Sequence, residues 1–169
     1  MTTLIYEKKI LILGCGNTLF GNDGFGPKVI QNLNENYIFP DYVLPIDAGT
    51  GIRDYIFDLL LMEKKPKQIF VIDAVTVKGR KTGELFEMSL ADVPQKKLSD
   101  FSLHQSPSSN LLSELKELGV DVRVYCVHTD YVPNFVKPGL SSEVQKAIPE
   151  ACEWIDHHIN KHIDTDTDK

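Results

Sequence analysis

Residues 10–26, with the sequence ILILGCGNTLFGNDGFG, predict a strand, a loop and a helix in direct succession. Four apolar residues run straight into two closely spaced glycines, a pattern that is typical of a parallel strand covered on both faces. Pro27 follows, at a position where the first turn of a helix tolerates proline. In a parallel α/β sheet the loop after the first strand lies where ligands bind, so this loop is a candidate for the functional site.

The rest of the chain alternates between strand-like and helix-like patterns in the same way. Buried or half-buried strands are predicted at 9–13, 41–46, 68–72 and 120–127, and an exposed strand at 84–88. Amphipathic helices are predicted at 24–34, 52–62, 111–118 and 140–162. Pro45 indicates that the second strand lies at a sheet edge, and Pro149 marks a point where the last helix can break.

This alternation predicts an α/β fold with a single domain over residues 1–163 and a disordered tail over residues 164–169. We expect three layers: a mainly parallel, five-stranded twisted sheet, helices on both of its faces, and the short exposed strand in addition. In the flavodoxin-like strand order 2-1-3-4-5 the first and third strands are neighbours. That order brings Asp23 and Asp73 together at the carboxyl ends of the strands.

Net charge, cysteine content and the lack of long apolar runs argue against several classes of protein. The net charge of -6 argues against non-specific nucleic-acid binding, which needs a basic surface. The three cysteines are odd in number and fit a reducing compartment better than a disulfide framework. No signal-peptide pattern and no apolar run of about 18 residues is visible, so we expect a cytoplasmic protein without membrane insertion.

The glycine-rich loop superficially resembles a phosphate-binding loop, but its residues argue against that function. A dinucleotide-binding loop has the pattern GxGxxG, and Leu19 stands where the third glycine belongs. A P-loop has lysine followed by serine or threonine after its last glycine, where this chain has Asn22 and Asp23. Asp23 would also repel a phosphate near the helix N-terminus. A phosphate-binding flavodoxin-like module is therefore the less favoured alternative.

Polar side chains follow the predicted strands at their carboxyl ends. Asp23, Asp47, Asp73 and His128 lie at these ends, and His104 lies in a long loop over residues 91–109. Carboxylates and an imidazole that converge in one crevice suit zinc, nickel or manganese. Each residue also has a simpler interpretation: Asp23 as a helix cap, Asp73 as a turn residue and His104 as a solvated loop histidine. The residues alone leave these alternatives open.

A second group of potential metal ligands lies on the predicted last helix. His158 and His162 are four residues apart and can face the same side of a helix, with Cys152 and His157 nearby. The pattern supplies no further ligand, so an exposed polar helix face is the simpler interpretation. Cys126 lies in a predicted buried strand, where a thiol is expected to be inert.

The chain resembles the nickel-iron hydrogenase maturation proteases, endopeptidases that remove a C-terminal extension from the hydrogenase large-subunit precursor after nickel insertion. The matching segments, in the family's order, are GCGNTLFGNDGFG at 14–26, DAGT at 47–50, IDAV at 72–75, LHQSP at 103–107 and GLSSEV at 139–144. LFGNDGFGP and LHQSP look most like the archaeal branch that serves deazaflavin-reducing hydrogenases. The family often has two acidic residues before the glycine of the first loop, whereas this chain has Asn22 before Asp23.

The resemblance implies that Asp23, Asp73 and His104 are the metal-binding and catalytic residues. It implies an enzyme without a cofactor of its own, which recognises nickel already bound in its substrate, the hydrogenase large-subunit precursor. The candidates for substrate contact are Gly14, Gly16, Asn17, Asp47, Gly49 and Thr50. A metal-binding or chaperone module that holds the precursor without cutting it is the alternative.

Overall fold

The computed structural model describes residues 5–92 and 111–164 and contains a five-stranded sheet. The strands are β1 (Ile10–Cys15), β2 (Val43–Gly49), β3 (Gln68–Val75), β4 (Leu85–Met88) and β5 (Asp121–His128). The helices are α1 (Phe25–Asn36), α2 (Ile52–Leu61), α3 (Leu111–Glu117) and α4 (Ser142–Asp164). Two short 3-10 helices, Gly21–Gly24 and Leu90–Asp92, precede α1 and follow β4. The α/β class is confirmed.

The sheet has the strand order β2-β1-β3-β5-β4. The first four strands in this order are parallel, and β4 pairs with β5 in the antiparallel direction at the edge. The predicted neighbourhood of β1 and β3 is confirmed, and so is the edge position of β2 with its Pro45. The predicted order 2-1-3-4-5 is wrong for the last two strands, because β5 lies beside β3 and β4 lies at the edge. The exposed strand predicted at 84–88 is β4, so it belongs to the five-stranded sheet and is not an additional strand.

The length of the connection explains this difference. Only residues 76–84 separate β3 from β4. A parallel crossover needs about a dozen residues or more, so β4 cannot return to lie parallel beside β3. The strand β5 takes the place next to β3 instead, in register from Gln68 with Asp121 to Val75 with His128. The fold therefore keeps β1, β3 and β5 as its three central strands.

Alternate residues of the central strands supply two separate hydrophobic cores. On one face Leu11, Leu13 and Val71 pack with helices α2 and α3. On the other face Ile12 and Phe70 pack with helices α1 and α4. Both sets are fully buried, as expected for parallel strands that are covered on both faces. The predicted three-layer arrangement follows from these two cores.

Helix α4 continues through Pro149, so the break considered at that residue does not occur. Residues on both sides of the proline are buried in the same core, including Ile148, Cys152 and Ile155. This packing offsets the loss of one backbone hydrogen bond at the proline. None of the helices in the described part of the chain is both long and apolar enough to cross a membrane. Residues 165–169 of the predicted tail and most of the predicted long loop at 91–109 lie outside the described residues.

Candidate functional site

Asp23 lies on the 3-10 helix that joins β1 to α1. One of its carboxylate oxygens, Oδ2, accepts a hydrogen bond of 2.8 Å from the backbone N–H of Asn17. Gly24, not Asp23, is the N-cap residue of α1, and it makes no side-chain capping bond. The interpretation of Asp23 as a helix cap is therefore wrong. Its carboxylate instead closes the loop that follows β1.

Two glycines bring this loop against the ends of β1 and β3. A Cβ atom on Gly26 would lie 2.2 Å from the carbonyl oxygen of Cys15 and 2.5 Å from that of Ile72. Gly16 has a φ of +125°, and a Cβ there would lie 1.8 Å from the carbonyl oxygen of Asp23. Only glycine allows such contacts between main chains. The helix that follows Asp23 thus begins against the peptide that precedes Asp73.

Asp73 is a buried carboxylate inside β3, with 1% of its surface exposed. The strand extends to Val75, three residues beyond the predicted end, so the interpretation of Asp73 as a turn residue is wrong. Its Oδ1 accepts a hydrogen bond of 2.8 Å from the N–H of Ala74. Side chains alternate along a strand, and Val71 and Val75 belong to the α2/α3 core, so Asp73 lies on that face.

Asn22 fixes the position of the Asp23 loop, a role that the sequence did not indicate. Its side-chain amide donates a hydrogen bond of 3.0 Å to Thr129 Oγ1, just after β5. Its carbonyl oxygen accepts a hydrogen bond of 2.7 Å from the N–H of Ser141, just before α4. Only 8% of Asn22 is exposed. An amide, with both a donor and an acceptor, satisfies these two partners at once.

The side chain of His128 forms hydrogen bonds with Val77 and Asp130, not with Asp23 or Asp73. Its Nδ1 accepts a hydrogen bond of 3.1 Å from the N–H of Val77, so its Nε2 donates the bond of 2.8 Å to Asp130 Oδ1. This hydrogen bond, together with one from Thr82, lowers the pKa of Asp130. His128 therefore holds the loop between β3 and β4 in place.

The remaining candidates for substrate contact surround the same loop. The exposed Asp47 accepts a hydrogen bond of 3.0 Å from the N–H of Gly49, and the carbonyl of Gly49 accepts one of 3.0 Å from Gly16. Thr50 is exposed and Asn17 is half-buried. Gly14 is buried, and a Cβ on it would lie 2.4 Å from the side chain of Ile30. The structure thus gives Gly14 a role in packing, and the substrate contacts stay predictions.

Two of the potential ligands on α4, Cys152 and His158, take part in packing. Cys152 is fully buried, which raises the pKa of its thiol to about 12. His158 stacks on Trp154 with ring centroids 4.0 Å apart, and its Nδ1 lies 2.6 Å from the carbonyl oxygen of Trp154. Burial lowers the pKa of His158. The prediction of an exposed polar face is therefore wrong for Cys152. The side chain of His162 lies outside the described part of the chain.

No three histidine, cysteine or acidic residues within 5–92 and 111–164 are placed to hold a metal ion together. His104, the third member of the set implied by the resemblance, lies outside these ranges. The described part of the candidate site thus consists of Asp23, in the loop after β1, and Asp73, in β3. A carboxylate pair of this kind offers hard oxygen donors for a cation, or a base for activating water.

Two open cavities flank the loop that carries Asp23. The first, of about 320 Å³, lies between Gly21, Asn22 and the segment after β5. The second, of about 300 Å³, lies between Thr18, the first turns of α1 and Asp47. An open α/β sheet binds its ligand at the carboxyl ends of its strands, and the loop after β1 that carries Asp23 lies at this edge.

Comparison with known proteins identifies the class of α/β protein. A family model described as hydrogenase maturation protease matches residues 27–158. A Methanocaldococcus jannaschii protein that carries this name provisionally is 37% identical over 156 residues, covering 92% of this chain and 99% of the relative. The coenzyme F420 hydrogenase subunit delta of Methanothermobacter thermautotrophicus is 37% identical over 153 residues, covering 89% and 94%.

The fold agrees with solved structures of this class. The hydrogenase maturating endopeptidase HybD of Escherichia coli superimposes with a TM-score of 0.64 at 24% identity, covering 91% of this chain and 93% of that one. The chain belongs to the hydrogenase maturation protease family. It is accordingly a hydrolase that acts on a peptide bond.

Proposed function

We propose that this enzyme recognises nickel in the precursor of a nickel-iron hydrogenase large subunit and removes the precursor's C-terminal extension. Membership of the maturation protease family supports the proteolytic step. The observation that carries the nickel proposal is the close approach of Gly26 to Cys15 in β1 and Ile72 in β3. Gly26, just after the loop with Asp23, thus lies against the carbonyl group of Ile72, and the buried Asp73 is the next residue of β3.

In this proposal His104 is the third donor to the nickel. Leu111, seven residues further along the chain, belongs to the core on the α2/α3 face, and Asp73 lies on the same face. His104 thus precedes, by seven residues, a segment that packs on the face of the sheet where Asp73 lies. Two carboxylates and one imidazole are ligands that nickel accepts.

The nickel is cargo of the substrate, and the protein needs no cofactor of its own. We propose that Asp23, Asp73 and His104 complete the coordination of nickel held by the precursor and so position the scissile peptide bond. Hydrolysis adds the hydroxyl group of water to the carbonyl carbon and a proton to the leaving amine. Either a carboxylate removes the proton from the water, or the metal polarises the water or the carbonyl group.

The substrate that we favour is the large subunit of an F420-reducing hydrogenase. The relative named as a coenzyme F420 hydrogenase subunit delta is 37% identical to this chain, which covers 94% of its length. We further propose that processing takes place in the cytoplasm. The three cysteines are buried and form no disulfide, as expected for a protein of a reducing compartment.

The test is to mix the purified protein with nickel-loaded and nickel-free precursor and to measure the mass of the precursor's C-terminus. We expect cleavage of the nickel-loaded form alone. Equal cleavage of both forms would contradict nickel recognition, and binding without cleavage would favour the chaperone alternative.

Isosteric variants test the ligand assignment. We expect Asp23→Asn, Asp73→Asn and His104→Ala each to reduce cleavage at least about a hundredfold, because each removes a donor to the metal. Asp41→Asn is the matched control, since Asp41 is an exposed carboxylate that precedes the N-terminal end of β2, at the sheet edge opposite the carboxyl ends of the strands. Circular dichroism of each variant checks that the fold is retained. A variant with full activity would remove its residue from the proposed set.

A further inference from the structure

An exposed apolar surface lies beside the loop that carries Asp23. We call it the apolar rim; its members are Leu19, Tyr131, Val132, Phe135 and Val136, with 48%, 60%, 38%, 56% and 64% of their surface exposed. In the described part of the chain ten large hydrophobic residues are exposed, and half of them belong to this rim. Such a concentration is uncommon on a monomeric surface and typically marks a binding site.

One member of the rim, Tyr131, lines the first of the two cavities. This cavity of about 320 Å³ has walls that include Gly21, Tyr131, Pro133, Lys137 and Leu140. Its volume is sufficient for one or two side chains but is at the low end for an independent small-molecule site. The lining is largely apolar, and Lys137 contributes a positive charge.

Hydrogen bonds hold the rim in a fixed conformation. The N–H of Gly21 donates to the carbonyl of Lys137, and the N–H of Lys137 donates to the carbonyl of Leu19, both at 2.8 Å. A Cβ on Gly21 would lie 2.9 Å from Pro133 Cδ, so the two segments are in close contact. A surface that is already ordered loses little conformational entropy when a partner binds.

The cavity lies beside the loop that carries Asp23. Gly21 and Asn22 form part of its wall, and Asp23 is the next residue along the chain. A peptide bound at the loop that carries Asp23 would therefore lie beside this cavity.

From these observations we infer that the apolar rim and its cavity bind the polypeptide of the hydrogenase precursor next to the scissile bond. The cavity takes an apolar side chain of the precursor, and Lys137 contacts a carbonyl or carboxylate oxygen of the same segment. This inference rests on the proposed function, because it requires a polypeptide substrate at Asp23. It adds a binding subsite that contributes to affinity and does not take part in the chemical step.

The test compares single variants in steady-state cleavage of a nickel-loaded large-subunit precursor of an F420-reducing hydrogenase. We expect Tyr131→Ala and Phe135→Ala each to raise KM about tenfold with little change in kcat, because each removes apolar contact area. Tyr6→Ala and Phe57→Ala are the matched controls, since Tyr6 and Phe57 are 51% and 46% exposed and lie outside the rim. The controls should leave KM unchanged.

Wild-type activity separates the two proposals. If the wild-type enzyme cleaves no nickel-loaded precursor, the proposed function fails. If the wild-type enzyme cleaves the precursor and the rim variants match the controls in KM, the inference fails while the proposed function stands. A fall in kcat at unchanged KM would also overturn the inference, because the rim would then act on the chemical step.

Discussion

The hydrogen bonds of Asn22 make a quantitative prediction about the stability of the site. Replacing Asn22 by alanine removes the acceptor for the Ser141 N–H and the donor to Thr129 Oγ1. The Ser141 N–H loses its partner, whereas Thr129 Oγ1 keeps its bond of 2.9 Å to the carbonyl of Tyr131. A fully buried group left without a partner costs about 1–3 kcal/mol, and the Ser141 N–H, which is partly buried, costs the lower part of that range.

We therefore expect Asn22→Ala to lower the free energy of unfolding by about 1–2 kcal/mol. For a chain of this size that corresponds to a fall in Tm of about 2–8 °C. Asn22→Asp should cost less, since the carboxylate still accepts the bond from Ser141. This variant also places a second negative charge beside Asp23, and the repulsion between the two carboxylates cancels part of the stability that the retained Ser141 bond provides.

Urea unfolding monitored by circular dichroism measures these differences, with Asn36→Ala as the matched control. Asn36 is exposed on α1 and donates one hydrogen bond of 3.1 Å to the carbonyl of Asn32, so its replacement should change stability by less than about 0.5 kcal/mol. If Asn22→Ala unfolds at the same urea concentration as this control, Asn22 does not hold the loop in the way described here.

Two further predictions concern packing and pH. Gly26→Ala should destabilise the protein by at least about 3 kcal/mol, because the added methyl group meets backbone carbonyls that cannot move aside. Gly79→Ala should cost only about 1 kcal/mol, since a Cβ there has open space and only the positive φ is unfavourable. Thermal unfolding compares the two. The hydrogen bonds from Arg123 lower the pKa of Glu87 below its ordinary value of 4.5, so this pair stabilises the fold above that pH and the contribution is lost as pH falls through the lowered pKa. Because this pair is partly exposed, Glu87→Gln should lower the free energy of unfolding at pH 7 by less than about 1 kcal/mol, which thermal unfolding would show as a small fall in Tm. The difference from wild type should vanish in acid.

The sequence predicted those features of the fold that depend on local patterns. The apolar runs ending at Gly14 and Ile72 identified the two central strands, and their place in a parallel sheet predicted that Asp23 and Asp73 lie at the same edge. Both conclusions need only the burial of short strands and the topology of parallel sheets. The β1/β3 neighbourhood in the structure agrees with them.

Features that depend on long-range contacts were beyond the sequence. The bonds of Asn22 join residues separated by 107 and 119 positions, and no local pattern indicates such partners. The polar Asp73 suggested an end of β3 three residues too early, and the order of the last two strands depended on the short connection over residues 76–84. Helix α4 continues through Pro149 because the core on both sides of it holds the helix in place.

The contacts of Gly26 also limit how the site can move. Glycines at the start of a helix commonly suggest a hinge, but here the main chain of Gly26 is held between the carbonyl groups of Cys15 and Ile72. Helix α1 therefore cannot pivot about its first turn without separating from the sheet. We therefore expect Asp23 and Asp73 to keep their relative position, so that any opening or closing during a catalytic cycle would come from another part of the chain.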